Sequence, residues 1–113
     1  MACIFCQIVS GEVPSEILYQ DEEVIAFRDI NPQAPVHILV IPRKHISSLN
    51  ELSEEQMGIL ARMVGAAKKL AEKEGILERG YRIVVSCGPE GGQVVPHLHM
   101  HLLGGHRLSD QMG

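Results

Sequence analysis

Pro96-His97-Leu98-His99-Met100-His101-Leu102-Leu103 places three histidines at alternate positions, with one apolar residue between each pair. In an extended strand successive side chains alternate faces. His97, His99 and His101 then share one face, while Leu98, Met100 and Leu102 point the other way, into a core. Half of the six histidines of the chain fall within these five positions. Such a row of imidazoles has two chemical uses. It can ligate a metal, since neutral imidazole is the commonest metal ligand. Alternatively, one ring can act as a nucleophile while its neighbours position or polarise the group under attack. Turn residues and apolar alternation frame the stretch and argue against a surface strand without chemistry.

The chain has 113 residues, the size of one small domain, here taken as residues 3–113. Hydrophobic residues make up 45%, but aromatic ones only 4% with no tryptophan, so aliphatic side chains must build most of the core. The net charge of -4 shows no basic excess, which argues against a nucleic-acid groove while leaving local donors for a small anion. No apolar run reaches the length of a membrane span, and the amino-terminal stretch does not resemble a secretory signal. Three cysteines are an odd number, which argues against a disulfide framework and fits a reducing cytosol. The expected location is the cytoplasm.

Cys3-Ile4-Phe5-Cys6 is a C-x2-C pair with two readings. Both cysteines can be small buried residues, or they can form half of a tetrahedral zinc site that needs two more ligands from elsewhere. Ile4 to Val9 is expected to be a short helix stopped by Gly11. Glu16–Gln20 and Val24–Arg28 read as two strands joined by an Asp21-Glu22-Glu23 turn, an antiparallel hairpin. Asp29 closes the second strand ahead of the proline-punctuated loop Asp29–Pro35, where a carboxylate can accept from sugar hydroxyls or serve the turn.

Val36-His37-Ile38-Leu39-Val40-Ile41 reads as a buried strand in which His37 needs a partner. Ser53 with Gln56 makes a capping box for one long helix ending at Gly75. Its apolar stripe is Leu60, Met63, Val64, Ala67, Leu70 and Ala71, and its methionines are assigned to the core. Tyr81–Ser86 reads as another strand. The loop Gly88-Pro89-Glu90-Gly91-Gly92-Gln93 follows, where glycines allow the backbone close to a phosphate and Gln93 can donate to its oxygens.

His97-Leu98-His99-Met100-His101-Leu102-Leu103 resembles the His-φ-His-φ-His-φ-φ signature of the histidine-triad (HIT) family, φ being apolar. The resemblance extends to Phe27-Arg28-Asp29-Ile30, Pro32-Gln33-Ala34-Pro35-Val36-His37, Val40-Ile41-Pro42-Arg43-Lys44-His45-Ile46-Ser47 and Gly91-Gly92-Gln93, in the order of the Hint branch. It covers nearly the whole chain. It implies an α+β fold with a five-stranded antiparallel sheet, one long helix and a short N-terminal helix, the sheet continuing across a homodimer.

The implied activity is hydrolysis of purine nucleoside 5′-phosphoramidates through a nucleotidyl-histidine intermediate on His99. His101 steadies non-bridging oxygens, His37 lies beside the triad, and catalysis requires no metal. By position the resemblance implies a purine nucleotide site. Asp29 is its ribose carboxylate, and Ile4, Phe5, Val13, Phe27, Ile30 and Leu39 form its base pocket. Gly92 and Gln93 supply donors, and Ser86 and Val94 complete the set. It further implies structural zinc on Cys3, Cys6, His45 and His97.

Three departures from the Hint pattern bear on rate. Ser86 stands at an asparagine position, and Val94 at the position of a serine that assists the leaving amine. The tail Ser109-Asp110-Gln111-Met112-Gly113 lacks the Trp-Pro-Pro ending. The expectation is a slower phosphoramidase. The competing functions are hydrolysis of dinucleoside polyphosphates or nucleotidyl transfer, a non-catalytic nucleotide-binding dimer, and a catalytic metal site made by His97, His99 and His101.

Overall fold

The structure is a computed structural model and describes residues 3–111. The short helix α1 spans Ile4–Ser10 and stops at Gly11, whose φ of 86° lies in the left-handed region that glycine adopts without a Cβ penalty. Strands β1 (Ile17–Gln20) and β2 (Val24–Arg28) form the expected hairpin. In its turn, Asp21 accepts the amide hydrogens of Glu23 and Val24 at 2.8 Å and the Tyr19 hydroxyl at 2.7 Å.

Strand β3 (Val36–Pro42) is buried along its whole length. The sheet order β1-β2-β3-β5-β4, antiparallel throughout, explains this, because β3 lies at the centre with both faces covered. A run that is apolar at all but one position, His37, is the mark of a strand buried on both faces. On one face Val24, Ala26, Ile38 and Val40 meet helix α2 (Met57–Lys73) together with Leu98, Met100 and Leu102. On the other, Ile25, Phe27, Leu39 and Ile41 meet Phe5 of α1 in a smaller core. His37 is carried on that second face, beside the smaller core, by strand alternation.

Four local expectations change. The Ser53–Gln56 pairing caps a 3-10 turn, Glu54–Gln56, and the α-helix proper begins at Met57. Gln56 Oε1 accepts the Ser53 amide hydrogen at 3.1 Å, tightening that turn ahead of the helix. The buried stripe of α2 runs Met63, Ala66, Ala67, Leu70 and Ala71, whereas Val64 is exposed, one helical step off the face. Met57 is likewise exposed, not core. Strand β4 spans Tyr81–Val84 and stops short of Ser86.

The histidine-rich stretch enters the sheet later than its alternation implies, since β5 spans Met100–Gly104. Pro96 has no amide hydrogen to give. The His97 amide turns back to the Val95 carbonyl at 2.8 Å, and that of Leu98 goes to Ile46 at 2.6 Å. The alternation of faces persists nonetheless, with Leu98, Met100 and Leu102 all buried against α2.

Candidate active site

A cavity of about 500 Å³ lies on the α1 side of the sheet. Strand β3 delivers His37 and Leu39 to it, and β5 with the turn before it delivers His99 and His101. Helix α1 forms one wall with Ile4, Phe5 and Ile8, and the loop after β2 adds Asp29 and Ile30. Ile30 and Val94, at 87% and 88% exposed, are large apolar groups in this lining that face solvent. Apolar surface left bare around a cavity marks a place where a bound ligand can cover it.

Backbone partners fix the tautomer of each ring, because an imidazole nitrogen facing a carbonyl must donate and one facing an amide hydrogen must accept. His99 Nδ1 lies 2.7 Å from the His97 carbonyl, so Nδ1 carries the proton and the Nε2 lone pair remains. The Gln33 amide donates to His37 Nδ1 at 3.0 Å, so the proton of His37 sits on Nε2. That Nε2–H donates to His101 Nδ1 at 2.9 Å, with Asp29 Oδ2 3.4 Å from the same nitrogen. His101 therefore keeps its own proton on Nε2, a donor with no partner among the described residues. The nucleophilic and the donating nitrogen belong to neighbouring rings whose centroids are 5.1 Å apart.

Burial, together with the charge of nearby His99 and His37, pushes His101 down to about 4 from its ordinary 6.5, Asp29 opposing weakly. Burial also lowers His37, again against Asp29. Both rings are thus neutral near pH 7, as the tautomer chain requires.

His97 departs from the other two. Its Nε2–H donates to the Pro42 carbonyl at 2.9 Å, which turns the Nδ1 lone pair towards Cys3 Sγ at 3.5 Å and Cys6 Sγ at 3.6 Å. His45 Nδ1 lies 3.2 Å from Cys6 Sγ, and the four ligand atoms all fall within 4.8 Å of one another. A tetrahedral zinc with ordinary Zn–S and Zn–N bonds has ligand-to-ligand edges of about 3.6 Å. The donor set fits a structural zinc ion, two soft sulfurs and two imidazoles, with the His97 ring held by a second-shell carbonyl. Burial and the neighbouring Cys3 raise the Cys6 thiol, an effect that a bound cation reverses. The histidines of the triad do not converge on one metal. His97 serves the cysteines, and His99 and His101 serve the cavity.

The HIT domain family model matches residues 10–108. The chain belongs to the HIT domain family. It is 51% identical to purine nucleoside phosphoramidase of Escherichia coli (strain K12) over 96% of this chain and 92% of that protein. It is 47% identical to the 14 kDa zinc-binding protein of Brassica juncea, over 94% of this chain and 95% of that one. Among solved structures, a HIT family hydrolase from Legionella pneumophila Philadelphia 1 superposes with a TM-score of 0.96 at 46% identity, covering 99% of this chain and 100% of that one. The five-stranded sheet with one long and one short helix is thus the HIT fold.

Within this HIT domain, Ile4, Phe5, Val13, Phe27, Asp29, Ile30, Leu39, Gly92 and Val94 all line the cavity with His37, His99 and His101. Two residues assigned to the nucleotide do not. Ser86 lines a neighbouring cavity of about 520 Å³, which shares Gln33, His37 and His101 with the first. Gln93 donates from Nε2 to the carbonyls of Ser47 at 2.8 Å and Val95 at 3.0 Å, and its backbone amide goes to Gly88 at 3.0 Å. Its donors are engaged in shaping the loop. The Gly92 amide is likewise given to Pro89 at 3.1 Å.

Sequence reading missed Ile8 and Gln33. Ile8 sits one helical turn from Ile4 and could have been found by its spacing. Gln33 acts through its main chain, which no side-chain pattern reports.

Proposed function

We propose that this protein is a nucleotide hydrolase that cleaves purine nucleoside 5′-phosphoramidates, with His99 as nucleophile. The observation that carries this reading is the 2.7 Å hydrogen bond from His99 Nδ1 to the His97 carbonyl, which leaves Nε2 unprotonated at the cavity. The base lies between Ile4, Phe5 and Leu39, and Asp29 accepts from ribose hydroxyls. Asp29 Oδ1 already takes the Asn31 amide at 2.8 Å, which holds its carboxylate in place for that task.

His99 Nε2 attacks the α-phosphorus, forming a P–N bond as the bond to the amine breaks. His101 Nε2–H donates to a non-bridging oxygen, where negative charge accumulates. The departing amine takes its proton from solvent, because Val94 offers no hydroxyl. Water then breaks the P–N bond to His99, which releases the nucleoside monophosphate and restores a neutral imidazole. Zinc on Cys3, Cys6, His45 and His97 would supply a structural cross-link and takes no part in these steps.

The strong identity to the E. coli phosphoramidase supports the reaction class. Val94 favours a second reading, in which leaving groups that need no proton, such as the phosphates of dinucleoside polyphosphates, are preferred. The outer edge of β4 pairs with no strand among the described residues, which supports a homodimer joined through that edge. Cys3, Cys6 and Cys87 form no disulfide, which supports a reducing, cytoplasmic setting. No helix among the described residues is long and apolar enough to cross a membrane. The one folded unit is taken as residues 3–113, of which Met112 and Gly113 lie outside the described residues.

The test is hydrolysis of a fluorogenic adenosine 5′-phosphoramidate by wild type and His99→Ala, with and without chelator. Turnover that resists chelation and is lost in His99→Ala, with a nucleotidyl-histidine adduct in quenched enzyme, is the expected result. Intact AMP binding without turnover on amine or phosphate leaving groups would leave only a binding role.

A further inference from the structure

We infer that the Cys3/Cys6/His45/His97 cluster is thermodynamically coupled to the nucleotide cavity, with Cys3 and Cys6 acting as positioning residues for the base-binding wall. The inference rests on the nucleotide reading of the cavity and on the fit of the cluster to zinc.

Helix α1 is only seven residues long, too short to hold itself together, and Cys3 gives it no side-chain N-cap hydrogen bond. Among the described residues, every side-chain polar contact from this segment to the rest of the fold runs through Cys3 or Cys6 to His45 or His97. Beyond those contacts, among the described residues, the segment is held by the apolar packing of Phe5, Ile8 and Val9 and by a backbone hydrogen bond from the Val13 amide to the Gln7 carbonyl at 3.2 Å, which reaches only the next stretch of chain. Yet the two cysteines bracket Ile4 and Phe5, which form the cavity wall with Ile8. An ion bound by four ligands from three separate parts of the chain therefore fastens that wall to the sheet.

Two physical links join the cluster to the reacting atoms. The Phe5 ring stands edge-on to His97, a cluster ligand, at 5.8 Å between centroids, and to His99, the nucleophile, at 5.2 Å. Moreover, His97 presents Nδ1 to the cysteines while its own carbonyl fixes the His99 tautomer at 2.7 Å. Loss of the ion frees α1, so the cavity must order its wall as the nucleotide binds and the apparent affinity falls. Linkage is reciprocal, so nucleotide tightens ion binding by the same factor.

The experiment uses the full chain in its zinc-loaded and chelator-stripped forms. AMP affinity is measured by calorimetry on both, and zinc affinity by competition with a chromogenic chelator, with and without saturating AMP. Hydrogen exchange at the α1 amides gives an independent readout. The expected result is AMP binding weakened about tenfold in the stripped form and zinc affinity raised about tenfold by AMP. The α1 amides lose protection on stripping. Cys6→Ser should reproduce the stripped form, and Cys6→His, which restores a ligand, should recover zinc, α1 protection and AMP affinity together.

Equal AMP affinity in the two forms, with one zinc bound per chain in the loaded one, overturns the coupling. Failure to bind zinc at all overturns it at its first step. AMP binding to neither form overturns the nucleotide reading instead, and α1 exchange then still reports whether the ion fastens the wall.

Discussion

His37 and His101 share a single directed hydrogen bond, Nε2 of the first to Nδ1 of the second at 2.9 Å, and it is oriented by the Gln33 main chain on the far side of His37. This bond is what makes His101 a donor at its cavity-side nitrogen. His37→Ala leaves His101 free to carry its proton on either nitrogen, so its contribution to the transition state falls while its bulk remains. The expected loss in kcat is about tenfold to a hundredfold, with the deeper loss, about a hundredfold to a thousandfold, in His101→Ala. AMP binding should change much less in both. A rise in KM with kcat unchanged in His37→Ala would show that His37 serves only binding.

Val94 stands at the cavity as an exposed apolar side chain where the resemblance implies an assisting hydroxyl. Val94→Ser should therefore raise kcat on amine-leaving substrates by about tenfold, less than the roughly hundredfold or more of a fully positioned proton donor, because solvent already supplies the proton. On substrates whose leaving group is a phosphate, already stable as an anion, the same change should have little effect. Comparing the two substrate classes in one variant separates proton delivery from a general improvement in binding, and an equal gain on both would defeat the proposed role.

Much of this architecture is legible in the residues because two periodicities coincide with burial. The run Val36–Ile41 is apolar at every position but His37, which marks a central strand, and alternation from Leu98 to Leu102 marks one buried face. Gly11 and Gly75 end their helices at positive φ, as a residue without Cβ does best. The partition of the triad was not legible from alternation alone. His97 is directed to the cysteines by the Pro42 carbonyl, a contact between residues 55 positions apart in the chain. The same holds for Gln93, whose side chain is taken up by Ser47, 46 positions away. Local pattern reports which face a side chain occupies. It does not report which distant backbone group claims its hydrogen bonds.

Gly91 packs against the backbone of Cys87, and a Cβ added there would collide with the Cys87 carbonyl oxygen. That oxygen is backbone and cannot swing aside, so Gly91→Ala must displace the loop carrying Gly92 and Val94. The expected cost is about 1–3 kcal/mol in stability, as for other overpacking substitutions, together with reduced kcat/KM. Gly58→Ala is the matched control, since its Cβ would meet nothing within 4 Å. Equal behaviour of the two variants in urea melts and in turnover would show that the close approach at Gly91 has no consequence.

Acid should destabilise the fold through the same buried pair that organises the site. The folded His101 titrates near 4 whereas an unfolded histidine titrates near 6.5. Between these values the unfolded chain binds the extra proton, so stability is fully present above about pH 6.5 and is lost as pH falls towards 4. Discounted for the partial exposure of the ring, the contribution is on the order of 2 kcal/mol. His37, lowered by burial, acts in the same direction. Urea midpoints measured at several pH values across this window should fall more steeply for wild type than for His101→Gln, which has no group to protonate there. The Cys/His cluster contributes to both proteins alike and cancels in the comparison. Parallel curves would mean that His101 keeps an ordinary affinity for its proton in the folded state, and that burial does not hold the pair neutral.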